Sequence, residues 1–276
     1  MKKLLLLLIP TLFLLPEYGK AQVDTILRET FEPPDSVSTS FFGAPQDTVL
    51  WNDTNLVSIS APNSYHARVI PANTPFGTSE ILFQTDSFST VGYSFVFLEF
   101  YHICKTFQSN LGVIRISTDG GTTWTLIDAG NVTYLGNSPN WNGDFNEASY
   151  SLPGVYNFWE ASQNTTPQNS WFQFEQFDIS DLALGTNGTG FSDVRLEFAT
   201  TYNVNPTTLP PAVQRPFQAG WFIDNLQITA STNCELFPPR FHFDYLGSSH
   251  GRGCYPVRPH DDLVEAPFVN NEYPIR

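Results

Sequence analysis

An all-β fold, a two-sheet antiparallel sandwich with an irregular C-terminal tail, is what this sequence predicts, on three observations. Short segments that alternate apolar and polar residues recur along the chain, and 21 prolines and 18 glycines punctuate them. Almost no window places apolar residues at helical spacing. Aromatic residues make up 15% of the chain, enough to fill one sizeable core.

The segments divide the chain in order. Lys2-Lys3, an apolar stretch from Leu4 to Leu15 and the small residues of Gly19-Lys20-Ala21 predict an export signal over residues 1–21. That apolar stretch is too short for a membrane span, and no second one follows. A first strand covers Thr25–Glu32 and stops at Pro33-Pro34, before a loop over 33–55. Leu56–Ser60 and Glu80–Gln84 are predicted strands, with a turn-rich segment from Pro62 to Pro75 between them. Tyr93–Ile103 carries the strongest strand signal: it is long, and apolar at alternate positions. Gly112–Ile116 and Thr125–Ile127 flank a turn. A long excursion over 128–170 contains Trp141 and Trp159. Phe172–Ile179, Val194–Ala199 and Gly220–Ile228 complete the strands. The sandwich domain is predicted over 22–231. Residues 232–276 form a Pro- and His-rich tail in which Cys234 and Cys254 can close one disulfide in an oxidising compartment. Cys104, the third cysteine, is expected to be a buried apolar residue.

Ser117-Thr118-Asp119-Gly120-Gly121-Thr122-Thr123-Trp124 fits the Asp-box pattern Ser-x-Asp-x-Gly-x-x-Trp. Consecutive glycines tolerate the positive φ of a tight hairpin. The Asp119 carboxylate can cap turn amides, Gly121 lets the chain reverse, and Trp124 can shield the turn.

Taken together, the opening Phe31-Glu32, the long apolar strand, the Asp-box and the closing Gly-Trp-Phe-Ile-Asp-Asn run over 220–225 resemble the β-jelly roll of reelin-type repeats. They are also similar to the broader MAM-like jelly rolls of secreted adhesins and of accessory domains in secreted peptidases. The resemblance covers roughly residues 25–230. It implies a jelly roll with no catalytic activity of its own and a structural calcium ion, with Asp224 and Glu32 as the ligand positions. Calcium gathers carboxylate and carbonyl oxygens from separate loops; the alternative is that Asp224 bonds only backbone amides at a strand bend.

Several functions are disfavoured. A formal net charge of −14 argues against nucleic acid or an anionic membrane as a partner. One Asp-box without an internal repeat does not build a sialidase propeller. His-Glu-x-x-His does not occur. Glu99, Glu175 and Glu197 lie in predicted strands, and a pair of such acids is what glycoside hydrolysis would need. Trp141 and Trp159, set among Asn, Gln and Ser, either stack on a sugar or pack the excursion onto the sandwich. The sequence therefore predicts a secreted or cell-surface protein that is not an enzyme and that binds an extracellular glycan or protein. The alternative is an accessory domain of a secreted hydrolase or peptidase whose catalytic part lies outside this chain.

Overall fold

The computed structural model describes residues 23–32, 38–42, 51–68, 79–106, 110–150, 166–202 and 219–232. Twelve strands alternate through them: β1 (Val23–Glu29), β2 (Ser38–Phe42), β3 (Trp51–Thr54), β4 (Ser64–Ala67), β5 (Ser79–Gln84) and β6 (Phe95–Lys105), then β7 (Asn110–Ser117), β8 (Thr125–Leu126), β9 (Thr133–Tyr134), β10 (Gln173–Asp178), β11 (Arg195–Tyr202) and β12 (Gly220–Ser231). One short helix, α1 (Ser180–Leu184), follows β10, and a 3-10 turn, Asn169–Trp171, precedes it. No helix among the described residues is long and apolar enough to cross a membrane.

The strands form two antiparallel sheets. The seven-stranded sheet runs β3-β4-β12-β6-β10-β9, with β1 also paired to β12, and the five-stranded sheet runs β2-β5-β11-β7-β8. Period-two alternation sends one set of side chains from each strand between the sheets. Leu98 and Phe100 of β6, Trp221 and Ile223 of β12, Ile114 and Ile116 of β7 and Leu196 and Phe198 of β11 are all buried in one continuous cluster. Rings dominate it: Phe83 stacks on Phe198 with centroids 4.9 Å apart, and Phe100 meets Phe198 edge to face at 5.4 Å. Gly112 is where β7 passes the indole of Trp221; a Cβ there would lie 2.8 Å from the ring. This is the all-β, two-sheet sandwich that the sequence predicts.

Three segments differ from expectation. Leu56–Ser60 is a run of bends, not a strand, because the amides of Ile59 and Ser60 bond a side chain in place of a neighbouring strand. The segments expected as loop and turn hold β2, β3 and β4. These are short and polar, with little alternation to reveal them. Cys104 is fully buried, as expected. The signal segment, Trp159, Cys234, Cys254 and the tail beyond residue 232 lie outside the described residues.

One irregularity shapes the closing strand. Asp224 stands opposite Tyr101 and Gln227 opposite Glu99, so β12 spends one extra residue against β6. Asn225 absorbs this bulge with φ of 50°, a left-handed conformation that asparagine tolerates better than most residues. Asp224, two residues beyond outward-facing Phe222 and just before the bulge, faces outward toward the loop that follows β3.

Candidate binding face

The Asp-box closes on itself. Asp119 Oδ1 accepts the amides of Thr122 and Thr123 at 3.1 and 2.9 Å and the Ser117 hydroxyl at 2.7 Å, while Oδ2 accepts the Thr123 hydroxyl at 2.7 Å. These donors hold the Asp119 carboxyl down at about 2. Gly120 and Gly121 take φ of 72° and 94°, and half-buried Trp124 lies over Gly121. The Asp119 carboxylate is filled by donors of its own turn, which suits architecture.

Asp224 and Glu32 anchor one loop. Asp224 Oδ2 accepts the amides of Ile59 and Ser60 at 2.6 and 3.0 Å; Oδ1 accepts the Ser60 hydroxyl at 2.6 Å and the Asn225 amide at 2.7 Å. Burial pushes its carboxyl up and these donors pull it down. Glu32 accepts the Asn63 amide at 2.8 Å and the Asn63 side chain at 3.2 Å. A carboxylate offers about four lone-pair sites, and N–H and O–H groups fill those of Asp224. Calcium requires oxygens facing the ion, so this donor set does not fit it. Among the described residues no three His, Cys, Asp or Glu side chains gather to hold a metal.

The excursion after β8 is fastened by a buried polar cluster. The Trp221 indole N–H donates to His102 Nδ1 at 3.1 Å, which leaves the proton on Nε2 to face Glu175 Oε1, also at 3.1 Å. Burial holds the His102 pKa below its ordinary value. Tyr134 and Tyr150 both donate their hydroxyls to Glu175, and burial pushes the Tyr134 pKa up. Trp141 is half-buried and stacks on Tyr134 at 4.7 Å, with Phe177 edge-on at 5.0 Å. It packs the excursion onto the core, one of the two roles its sequence context allows.

The other strand acids also have structural partners. Arg115 Nη1 donates to Glu197 at 2.6 Å, and its two Nη atoms donate to Glu80 at 3.1 and 2.6 Å, across the outward side of the five-stranded sheet.

A different arrangement appears on the outward face of the seven-stranded sheet. Tyr101 and Phe174, both half-buried, sit on paired strands with ring centroids 5.2 Å apart. One register step along, Gln176, Glu99, Gln227 and Arg28 align across β10, β6, β12 and β1. The Gln176 amide donates to Glu99 Oε1 at 2.6 Å and the Gln227 amide to Oε2 at 2.5 Å. Each carboxamide thus presents its carbonyl oxygen and second N–H in a fixed orientation. Four neighbouring strands make a row about 14 Å long. Sequence reasoning placed Glu99 in a strand but missed this row. The signal was there: residues 99 and 101 share one face of β6, as 174 and 176 share one face of β10.

No family model matches the chain, and no curated protein matches it. Among solved structures, the chain is similar to the CBM22-1 xylan-binding domain from Paenibacillus barcinonensis, at 11% identity over 76% of this chain and 96% of that one, with a TM-score of 0.38. It is also similar to the K1 cleaved adhesin domain of Lys-gingipain from Porphyromonas gingivalis W83, at 12% identity over 77% and 99% of the two chains, with a TM-score of 0.37. A third likeness is to a carbohydrate-binding module specific for non-crystalline cellulose, CBM28, at 12% identity over 64% and 79%, with a TM-score of 0.29.

Proposed function

We propose that the protein is a secreted, non-catalytic binding protein whose sandwich recognises an extracellular glycan on the outward face of the seven-stranded sheet. The observation that carries this reading is the Tyr101–Phe174 ring pair beside the Gln176–Glu99–Gln227 row. Sugar rings present apolar C–H faces that stack on aromatics, and hydroxyl pairs that need fixed donors and acceptors. The face supplies both on rigid strands, so little ordering cost is left for binding.

The acids support a binding role. Glycoside hydrolysis needs two carboxyl groups flanking the scissile bond. Glu99 is bridged by two carboxamides, Glu175 is buried with His102, and Glu80 and Glu197 share Arg115. Affinity electrophoresis against soluble polysaccharides tests the reading. The wild-type chain is expected to be retarded by at least one of them, and Tyr101→Ala to run free. Equal retardation of both proteins would remove the face from consideration.

A further inference from the structure

The ligand chemistry of this face follows from what borders it. Ile59 N lies 2.6 Å from Asp224 Oδ2, and Asp224 is the direct cross-strand partner of Tyr101. The loop through Ile59 and Ser60 therefore stands beside the Tyr101 ring. On its far side the Ser58 amide donates to Asn169 Oδ1 at 3.1 Å, just before β10. The loop thus crosses β12, β6 and β10 at one end of the face. There, outward-facing Ile103 and Phe222 are fully buried, and the Lys105 ammonium sits over the Trp171 ring at 5.8 Å.

Two large apolar side chains on this loop nevertheless face water: Leu56 is 52% and Ile59 42% exposed. An ordered loop fixed at both ends, with its apolar side chains turned out beside an aromatic floor, has the form of a contact wall. The charge on the face also selects. Glu99 stands at the centre of the row with Arg28 at its β1 end, so the row itself has no excess of positive charge, and the chain carries a net charge of −14. An anionic polymer would bring like charge onto it.

We infer that the 56–60 loop is the wall of a groove for a neutral saccharide, with Ile59 and Leu56 touching the ligand and Asp224 as the positioning residue that holds them beside Tyr101. This inference rests on the glycan-binding reading of the same face. The groove runs across the strands, so the ligand lies along the Gln176–Glu99–Gln227 row with one edge against the loop.

The test measures binding of soluble neutral β-glucan, xylan and mannan, with polygalacturonate as the anionic arm, by the full chain and its variants. Wild type is expected to bind a neutral polymer and not polygalacturonate. Ile59→Ala should weaken binding about 4-fold, the equivalent of about one buried methylene at about 0.8 kcal/mol. Ile59→Val should restore most of it, and the melting midpoint should not move, because the side chain is exposed. Asp224→Asn, which sets an amide N–H₂ against the loop's donors, should lose affinity comparably while Tyr101 still supports residual binding.

Neutral-polymer binding that Tyr101→Ala abolishes, but that Ile59→Ala and Leu56→Ala leave at wild-type strength, overturns the wall while sparing the face. Equal binding of polygalacturonate overturns the neutral class. Failure of wild type to bind any polymer overturns the glycan reading itself.

Discussion

Gly112 shows how little slack the interior holds at the scale of single residues. A methyl group there would meet the Trp221 ring at 2.8 Å, and that indole also donates to His102. Gly112→Ala is expected to destabilise the fold by about 1–3 kcal/mol through overpacking. The shift should appear in the urea midpoint with an unchanged slope; a midpoint equal to wild type would contradict the packing described. Two histidines set the pH response. His66 stacks on Phe222 at 4.0 Å and bonds the Ala219 carbonyl at 2.7 Å, and burial lowers its pKa to about 4; burial lowers that of His102 as well. Both folded values lie below the ordinary 6.5, so the unfolded chain takes up protons first as pH falls. Stability is full above about pH 6.5 and declines below it, for His66 until about pH 4. Burial shifts Asp144, Asp178 and Asp224 upward, which acts in the opposite sense, so the informative quantity is a difference. Between pH 7 and 5, wild type should lose on the order of 1–2 kcal/mol more than His66→Gln. Parallel pH curves for the two proteins would rule the linkage out.

At the scale of elements, the strands legible in the sequence are those long enough to alternate. The 11-residue β6 and 12-residue β12 announce themselves through Phe, Ile, Leu and Trp at every second position. The four-residue β3 and β4, Trp-Asn-Asp-Thr and Ser-Tyr-His-Ala, do not, since neither spans two full alternations with apolar residues. Leu56–Ser60 alternates yet is no strand. Its amides go to Asp224, a residue 165 positions away for Ile59, and local pattern carries no trace of such a partner. The site was legible only in part for the same reason. Asp224 stood out as an oxygen ligand or an amide acceptor at a strand bend, and it accepts loop amides just before the bulge at Asn225. The Tyr101–Phe174 pair needed the β6–β10 register, which no single segment encodes. Because loop donors saturate Asp224, chelation with EDTA is expected to leave the melting midpoint within about 1 °C of its starting value. A fall of several degrees would show that an ion holds the loop. On the opposite sheet, Arg115→Met strips Glu197, whose side chain is 5% exposed, of its cation. The expected loss is about 2 kcal/mol, measured by urea unfolding, and Glu197→Gln in the same background should recover part of it by removing the unpaired charge.

At the scale of the whole molecule, one sandwich directs its polar side chains to separate tasks. The Asp-box closes a hairpin, the His102–Glu175 cluster fastens the excursion that carries Trp141, and the outward face of the seven-stranded sheet holds an ordered row of amides beside two rings. Only the last leaves both hydrogen-bonding capacity and ring surface directed away from the core. Its location on β6, β10 and β12, each paired on both sides, makes it rigid in a way that a loop site would not be. A neutral ligand releases no condensed counterions, so its affinity should change little between low and high salt, unlike that of a polyelectrolyte. The most direct test of the central claim is calorimetric titration of wild type and Tyr101→Ala with the neutral polysaccharide that retards wild type most in the gel. Saturable binding by wild type and an affinity at least tenfold weaker for Tyr101→Ala are expected, measured at a temperature where both proteins are fully folded. Indistinguishable isotherms from two equally folded proteins would contradict that claim.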